Sequence, residues 1–232
     1  MGMYECDLLI ALGVRFDDRV TGRLAAFAPH AKVIHVDVDP AEIGKNRVAD
    51  LPIVGDVKRV LTKLNRVLEE LAPNSKEQNV DARRAWWAQV RGYVKDHPLT
   101  PEYSDTEIKP QHLMKEIDRL SGGNAIISVD VGQHQMWAAQ FIRLNGPRLW
   151  LSSSGLGSMG FGLPAAIGAA FACPDKTVVS IGGDGGFQMS IPELGTIVNH
   201  GLPIKIIIMN NGYLGMVRQW QELFYNNRLS SV

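Results

Sequence analysis

Gly183-Asp184-Gly185 closes one apolar run, Thr177-Val178-Val179-Ser180-Ile181, and Asn210-Asn211 closes another, Ile204 to Met209. Runs this apolar predict strands buried on both faces, and hence a parallel sheet covered by helices. Such strands carry Asp184 and the asparagine amides to one edge of the sheet, where open α/β sheets bind ligands. A hard divalent cation such as Mg2+ takes oxygen ligands in an octahedron and shares them with substrate phosphates. Gly182, Gly183, Gly185 and Gly186 leave the backbone around Asp184 open to close approach. The pattern predicts a clamp for a magnesium-bound diphosphate. Two ordinary Gly/Asn turns would give the same letters, but the spacing and the preceding strands favour the clamp.

The 232 residues suffice for one large domain or two small ones. Lys+Arg and Asp+Glu both number 24, so no net field draws nucleic acid or an anionic membrane, and neither partner is expected. The two cysteines, Cys6 and Cys173, form no ligand or disulfide pattern and suit a reducing compartment. No apolar run reaches the roughly 20 residues of a membrane span, and no secretory leader is recognised. Met1-Gly2-Met3 leads almost directly into an apolar strand, and Trp220 to Val232 stops without a closing element. These ends predict a stretch cut inside two domains.

The pattern along the chain is that of an α/β protein with two doubly wound parallel-sheet domains, at 1–73 and 110–232, joined by a linker with a helix at 74–109. In the first domain, Leu8 to Leu12 predicts a buried strand, Val20 to Phe27 a short helix, and Lys32 to Val38 a second strand. Pro52-Ile53-Val54 is a short apolar piece, and Asp56 is placed to cap a helix over Val57 to Leu71. The linker begins in the polar, Pro73-containing stretch Ala72 to Asn79. A helix over Asp81 to Lys95 and a proline-rich loop over His97 to Pro110 complete it. In the second domain, strands are expected at Ala125–Val129, Leu149–Leu151 and the two clamp segments. Helices are expected at Gln111–Leu120, Gln133–Phe141, Gly162–Phe171, Pro192–Asn199 and Leu214–Phe224.

Several further clusters carry chemistry. Gly155-Leu156-Gly157-Ser158-Met159-Gly160 fits the dinucleotide fingerprint GxGxxG, which by itself is a weak signal. The acidic residue that fingerprint needs on the next strand would be Asp184, but the surrounding glycines and the Asn pair suit the clamp instead. Asp130-Val131-Gly132-Gln133-His134 spans a strand-to-helix junction, where N–H groups and the helix dipole favour phosphate. Helix capping with a surface histidine is the plainer alternative. Gly13-Val14-Arg15-Phe16-Asp17-Asp18-Arg19 follows the first strand. It reads as an ion-pair network or as a nucleotide or carboxylate site, with a carboxylate of the adjacent strand end Val36-Asp37-Val38-Asp39 placed to accept ribose hydroxyls. Met216 and Trp220, four residues apart, share one face of the last helix.

The strings LLIALGVRFDDRVTG, VDVDPAEIGKN, VGQHQMWAAQF, WLSSSGLGSMGFGLPAAIGAA, GDGGFQM and IIIMNNGYLGMVRQW together resemble the catalytic large subunits of the acetohydroxyacid (acetolactate) synthases. The resemblance implies that 1–73 is the second half of a central FAD-binding domain and that 110–232 is most of a thiamine diphosphate domain. It implies Mg2+ ligation by Asp184, Asn211 and the Tyr213 carbonyl. Gln133 and His134 would contact the diphosphate, with Gly183, Gly185 and Gly186 around it. Gly157 and Met159 would hold the aminopyrimidine and the bent cofactor. FAD would be contacted by Gly13, Val14, Arg15, Phe16, Asp17, Asp37, Val38, Asp56 and Val57. Arg19 would receive a 2-ketoacid carboxylate, and Met216 and Trp220 would shape the acceptor site.

The implied reaction decarboxylates pyruvate and joins the remainder to a second 2-ketoacid. Pyruvate gives 2-acetolactate and 2-ketobutyrate gives 2-aceto-2-hydroxybutyrate, in branched-chain amino acid biosynthesis. Homodimers or tetramers, a regulatory small subunit, and a cytoplasmic (in plants, plastid) location are also implied. The proton-relay glutamate of such enzymes belongs to a domain preceding this stretch. No catalytic acid or base is therefore assigned, and the chain alone is expected to be inactive. Pyruvate oxidase or glyoxylate carboligase types, a non-catalytic module of the same fold, and a nicotinamide dehydrogenase are the competing readings.

Overall fold

The structure, a computed structural model, describes residues 1–75 and 80–232. It divides into two compact units, Met1–Pro98 and Leu99–Val232. In the first, a helical turn α1 (Gly2–Glu5) precedes strand β1 (Leu8–Leu12), the turn α2 (Asp18–Thr21), β2 (Lys32–Asp37) and β3 (Leu51–Val54). The three strands form one parallel sheet in that order, with Ile10 opposite Ile34 and Val36 opposite Ile53. The helices α3 (Val57–Ser75) and α4 (Val80–Asp96) follow. Asp56 caps α3 as expected, its Oδ1 accepting the Arg59 N–H at 3.0 Å. On α4, Gln89 Nε2 donates to Glu5 Oε2 at 2.6 Å, which holds that helix to the start of the same unit.

Three expectations for this unit are revised. The helix over Val20 to Phe27 is instead α2 plus a separate 3-10 turn at Leu24–Ala26. Gly22 separates the two with φ of 55°, which no helix continues through. Helix α3 runs on to Ser75 through the start of the expected linker, of which 76–79 lie outside the described residues. Strand β1 is buried on one face only. Ala11 packs with Phe16, Phe27, Ala28 and Val33, while Ile10 on the other face is 46% exposed. That second face borders a hollow of about 680 Å3 between the sheet and α3, lined by Ile10, Leu12, Val36, Val60 and Leu64.

The second unit opens with α5 (Pro110–Ser121), β4 (Ile126–Val129), α6 (Gln133–Phe141), β5 (Trp150–Leu151), α7 (Gly162–Ala172) and β6 (Val178–Gly183). It continues with α8 (Asp184–Met189), α9 (Leu194–His200), β7 (Lys205–Met209) and α10 (Gly215–Phe224). Its four strands are parallel in the order β5-β4-β6-β7. Met114, Ile127, Val129, Phe141 and Ile181 fill one face of this sheet, against α5 and α6. Ile126, Ala166, Ala170 and Val178 fill the other beneath α7, whose small residues let the helix lie close. Both faces are thus covered, as the unbroken apolar runs of β4 and β6 require. At its carboxyl end, α5 stops at Gly122 in the left-handed conformation.

After β4 the chain crosses to β5 on one side, then returns to β6 on the other. The cleft above the carboxyl ends of β4 and β6 is therefore the topological switch point of the sheet, the place where open α/β folds bind ligands. Val129 pairs with Ile181 and Gly183 with Met209, so residue 130 comes level with 182 and residue 184 with 210 along the same edge of the sheet.

Candidate functional site

That cleft is a groove of about 200 Å3. Gln133, His134, Gly157, Met159, Asp184 and Asn211 all line it, as do Gly183, Gly185, Gly186, Tyr213 and Met216. The residues expected to hold a diphosphate, its cation and an aminopyrimidine thus come from four strand ends to one place. The volume is below the roughly 300–1,000 Å3 of pockets that enclose a whole ligand. Larger hollows exist, but the one of about 420 Å3 along Ile117, Thr177 and Lys205 lies at the amino ends of the strands, away from this chemistry.

Each wall has a local cause. Within the glycine-rich segment 182–186, α8 begins at Asp184, which lies in its first turn and suits the positive end of the helix. Beyond β7, Asn210 Oδ1 accepts the Gly212 N–H at 3.3 Å and Asn211 Oδ1 accepts the Tyr213 N–H at 3.0 Å. These side-chain turns fold the strand end back into α10. A carbonyl oxygen has two lone pairs, so Asn211 Oδ1 keeps one for a cation. Among the described residues no group of three or more His, Cys, Asp and Glu could hold a metal. Asp184, Asn211 and Tyr213 all line the groove, and one carboxylate, one amide oxygen and one main-chain carbonyl would suit a hard cation with positions left open for phosphate oxygens.

On the facing wall, Gln133 Nε2 donates to Gln219 Oε1 at 3.0 Å, joining α6 to α10. His134 is 5% exposed, and its Nε2 is buried without a hydrogen-bond partner. Burial holds its imidazole below the ordinary range, while the Asp130 charge and backbone and the Asp184 charge pull the other way. A neutral ring with an unspent nitrogen is an unsatisfied polar atom in the protein alone, and a ligand oxygen would satisfy it. Met159 reaches over Gly185: a Cβ there would lie 3.6 Å from the Met159 terminal methyl and 2.9 Å from Leu214. The orphaned nitrogen, the glycine cradle and the oxygen donors together fit a magnesium-bound diphosphate.

Sequence reasoning missed three contributors to this site. Asp130, 3% exposed, braces the groove from beneath. Trp137 and Leu214 also line it. Trp137 follows Gln133 by one helical turn, and that spacing was the available signal. Met216 and Val217 line the groove, whereas Trp220 packs edge-to-face on Phe224 at 5.3 Å and lies outside the lining.

In the first unit, the named residues cluster at the carboxyl ends of β1, β2 and β3. The Gly13 N–H donates to Val36 O at 2.8 Å, with φ of 64° turning the chain there. Phe16 is 3% exposed and packs on Phe27 and His35, so it offers a ligand main chain more than side chain. Arg15 pairs with Asp17 at 3.1 Å, and Asp17 also caps α2 by accepting the Val20 N–H. Arg19 and Asp18 lie 3.8 Å apart on the surface. Asp37 accepts the Asp39 N–H at 2.9 Å, while Val38 is exposed. Asp56 and Val57 begin α3 at the end of β3.

A parallel sheet whose switch point gathers oxygen donors, a buried histidine and glycines has the arrangement of a diphosphate-binding domain. A family model for the C-terminal TPP binding domain of thiamine pyrophosphate enzymes matches residues 130–232, and one for their central domain matches residues 1–64. The chain belongs to the thiamine pyrophosphate enzymes. It is similar to acetolactate synthases: 54% identical over 232 residues to that of Mycobacterium bovis, covering 99% of this chain and 37% of the relative. It is also 51% identical over 226 residues to the large subunit of Pyropia yezoensis (97% and 37% covered), and 51% over 228 to that of Parasynechococcus marenigrum (98% and 36%). The chain spans a little over a third of the length of these curated relatives.

Proposed function

We propose that this chain is the cofactor-holding part of an acetolactate synthase large subunit, and that its second unit anchors thiamine diphosphate through Mg2+. The observation that carries this reading is the single groove that gathers Asp184, Asn211, Gln133, His134, Gly157 and Met159 at the switch point. Asp184, Asn211 and the Tyr213 carbonyl hold the cation, and Gln133 and His134 donate to diphosphate oxygens. Gly157 and Met159 form the apolar floor under the rest of the cofactor. When bound, thiamine diphosphate supplies the electron sink for pyruvate decarboxylation and for carbon–carbon bond formation with a second 2-ketoacid.

The strand ends of the first unit are the FAD side of this proposal, through residues 13–17, Asp37-Val38 and Asp56-Val57. Arg19 receives a carboxylate of pyruvate or 2-ketobutyrate, and Met216 with Trp220 shapes the acceptor pocket. The complete enzyme works as a homo-oligomer of large subunits, with a regulatory small subunit as a further partner, in the cytoplasm or a plastid. Among the described residues no helix is long and apolar enough to cross a membrane.

Titration of the chain with thiamine diphosphate tests the anchor. Binding should require Mg2+, and Asp184→Ala should weaken it by at least about tenfold. Equal binding with and without Mg2+ would sink the clamp. Acetolactate formation from pyruvate should need the longer protein, with none from the 232-residue chain.

A further inference from the structure

Asp130 lies outside the groove's lining, yet the β4–α6 turn, the turn before α7 and helix α8 all meet at it, while the β7–α10 wall stands apart. Its Oδ1 accepts N–H groups from Val131 at 2.7 Å and Gly160 at 3.0 Å, and its Oδ2 accepts that of Gly162 at 2.9 Å. Val131 begins the turn that presents Gln133 and His134. Gly160 and Gly162 flank the turn that presents Gly157 and Met159. The third wall is α8, which carries Asp184: a Cβ on Gly186 would sit 2.7 Å from Asp130 Oδ1, and one on Gly162 would sit 2.8 Å from the Asp130 backbone nitrogen. One carboxylate therefore ties the start of the β4–α6 turn to the Gly160–Gly162 segment by hydrogen bonds and packs closely against α8. Hydrogen bonds to an ionised acceptor are about twice as strong as neutral ones, which suits such a joint. An amide of the same shape would turn an NH2 toward at least one of these N–H groups, setting donor against donor.

We propose that Asp130 is the positioning residue of the thiamine diphosphate site: it sets the spacing between the Gln133–His134 turn, the Gly157–Met159 turn and the Asp184 helix. This rests on the diphosphate reading above and deepens it. The test compares the unaltered chain with Asp130→Asn, by thiamine diphosphate titration in Mg2+ and by amide hydrogen exchange. The variant should keep slow exchange at Ile127 and Ile181 in the sheet, exchange faster at Gly160 and Gly162, and bind the cofactor about tenfold more weakly.

Unchanged affinity in the folded variant would overturn the positioning role alone. Exchange that accelerates equally across β4 and β6 would also overturn it, since Asp130 would then serve only general stability. Should the variant fail to fold, the unaltered chain decides: cofactor and Mg2+ should slow exchange at Gly160 and Gly162, and no slowing would refute the proposal. Failure of the unaltered chain to bind at all would overturn the functional reading with it.

Discussion

His134 is the residue whose protonation the fold resists most visibly. It is buried against Gly132 and Gly183, where a Cβ would lie 2.7 and 3.3 Å from its ring, and burial depresses its pKa from the ordinary 6.5. The unfolded chain then binds a proton that the folded one refuses, so this contribution to stability is present above pH 6.5 and is lost as pH falls toward the lower, folded value. The unfolding free energy measured in urea should fall as pH drops below 6.5, by no more than about 1.4 kcal/mol per pH unit, and His134→Gln should flatten the slope. An unfolding free energy insensitive to pH in the unaltered chain would show that the ring is not held neutral. Asp184 stood out in the sequence because it comes two glycines after an apolar run and is followed by the Asn pair, and His134 because it lies at a strand-to-helix junction, its proposed role coming from the family resemblance. Asp130 did not, because a lone aspartate at a strand end looks the same whether it caps a turn or joins three segments. Only the return of Gly160 and Gly162 to it reveals the difference.

Among the elements, strands and long helices followed from apolar periodicity, and β1, α6 and β7 lie close to where that pattern puts them. Helix α8 escaped because its DGGFQM sequence has the composition of a turn. Its glycines answer to neighbours, since Asp130 and Leu214 occupy the space that side chains at Gly186 and Gly185 would need. Register was equally hidden, and register is what sets Asp184 beside Asn210. The join between α5 and the end of α6 is carried by Asp118, 7% exposed, which accepts the Arg143 backbone N–H at 2.8 Å and its guanidinium at 2.9 Å. Burial alone would raise the Asp118 pKa, but the hydrogen bonds from Arg143 outweigh it and hold the carboxyl low. Asp118→Ala leaves the mostly exposed Arg143 free to reach water, so the loss should be about 2 kcal/mol in chemical denaturation. A change within about 0.5 kcal/mol would mean the tie is idle.

For the molecule as a whole, the two units differ in how fully their sheets are covered. The second covers both faces. The first leaves Leu8 and Ile10 at 48% and 46% exposure on a parallel strand, a class of strand normally buried on both sides. Such a face binds other apolar surfaces. At concentrations of about 100 μM, sedimentation of the chain should show self-association, and Ile10→Lys should shift it toward monomer. A strictly monomeric unaltered chain would show that α3 shields the sheet well enough. The apolar run of β1 announced a strand but could not say which of its faces this chain covers.

The crossing of β4 to β5 and back to β6 has a consequence for engineering. Because the walls of the cleft arrive on separate excursions of the chain, no short peptide contains the chemistry, and it cannot be transplanted loop by loop. A graft of the groove into a new host would have to carry Val131 to Val217 and also α5, whose Met114 and Ile117 fill one face of the sheet beneath it.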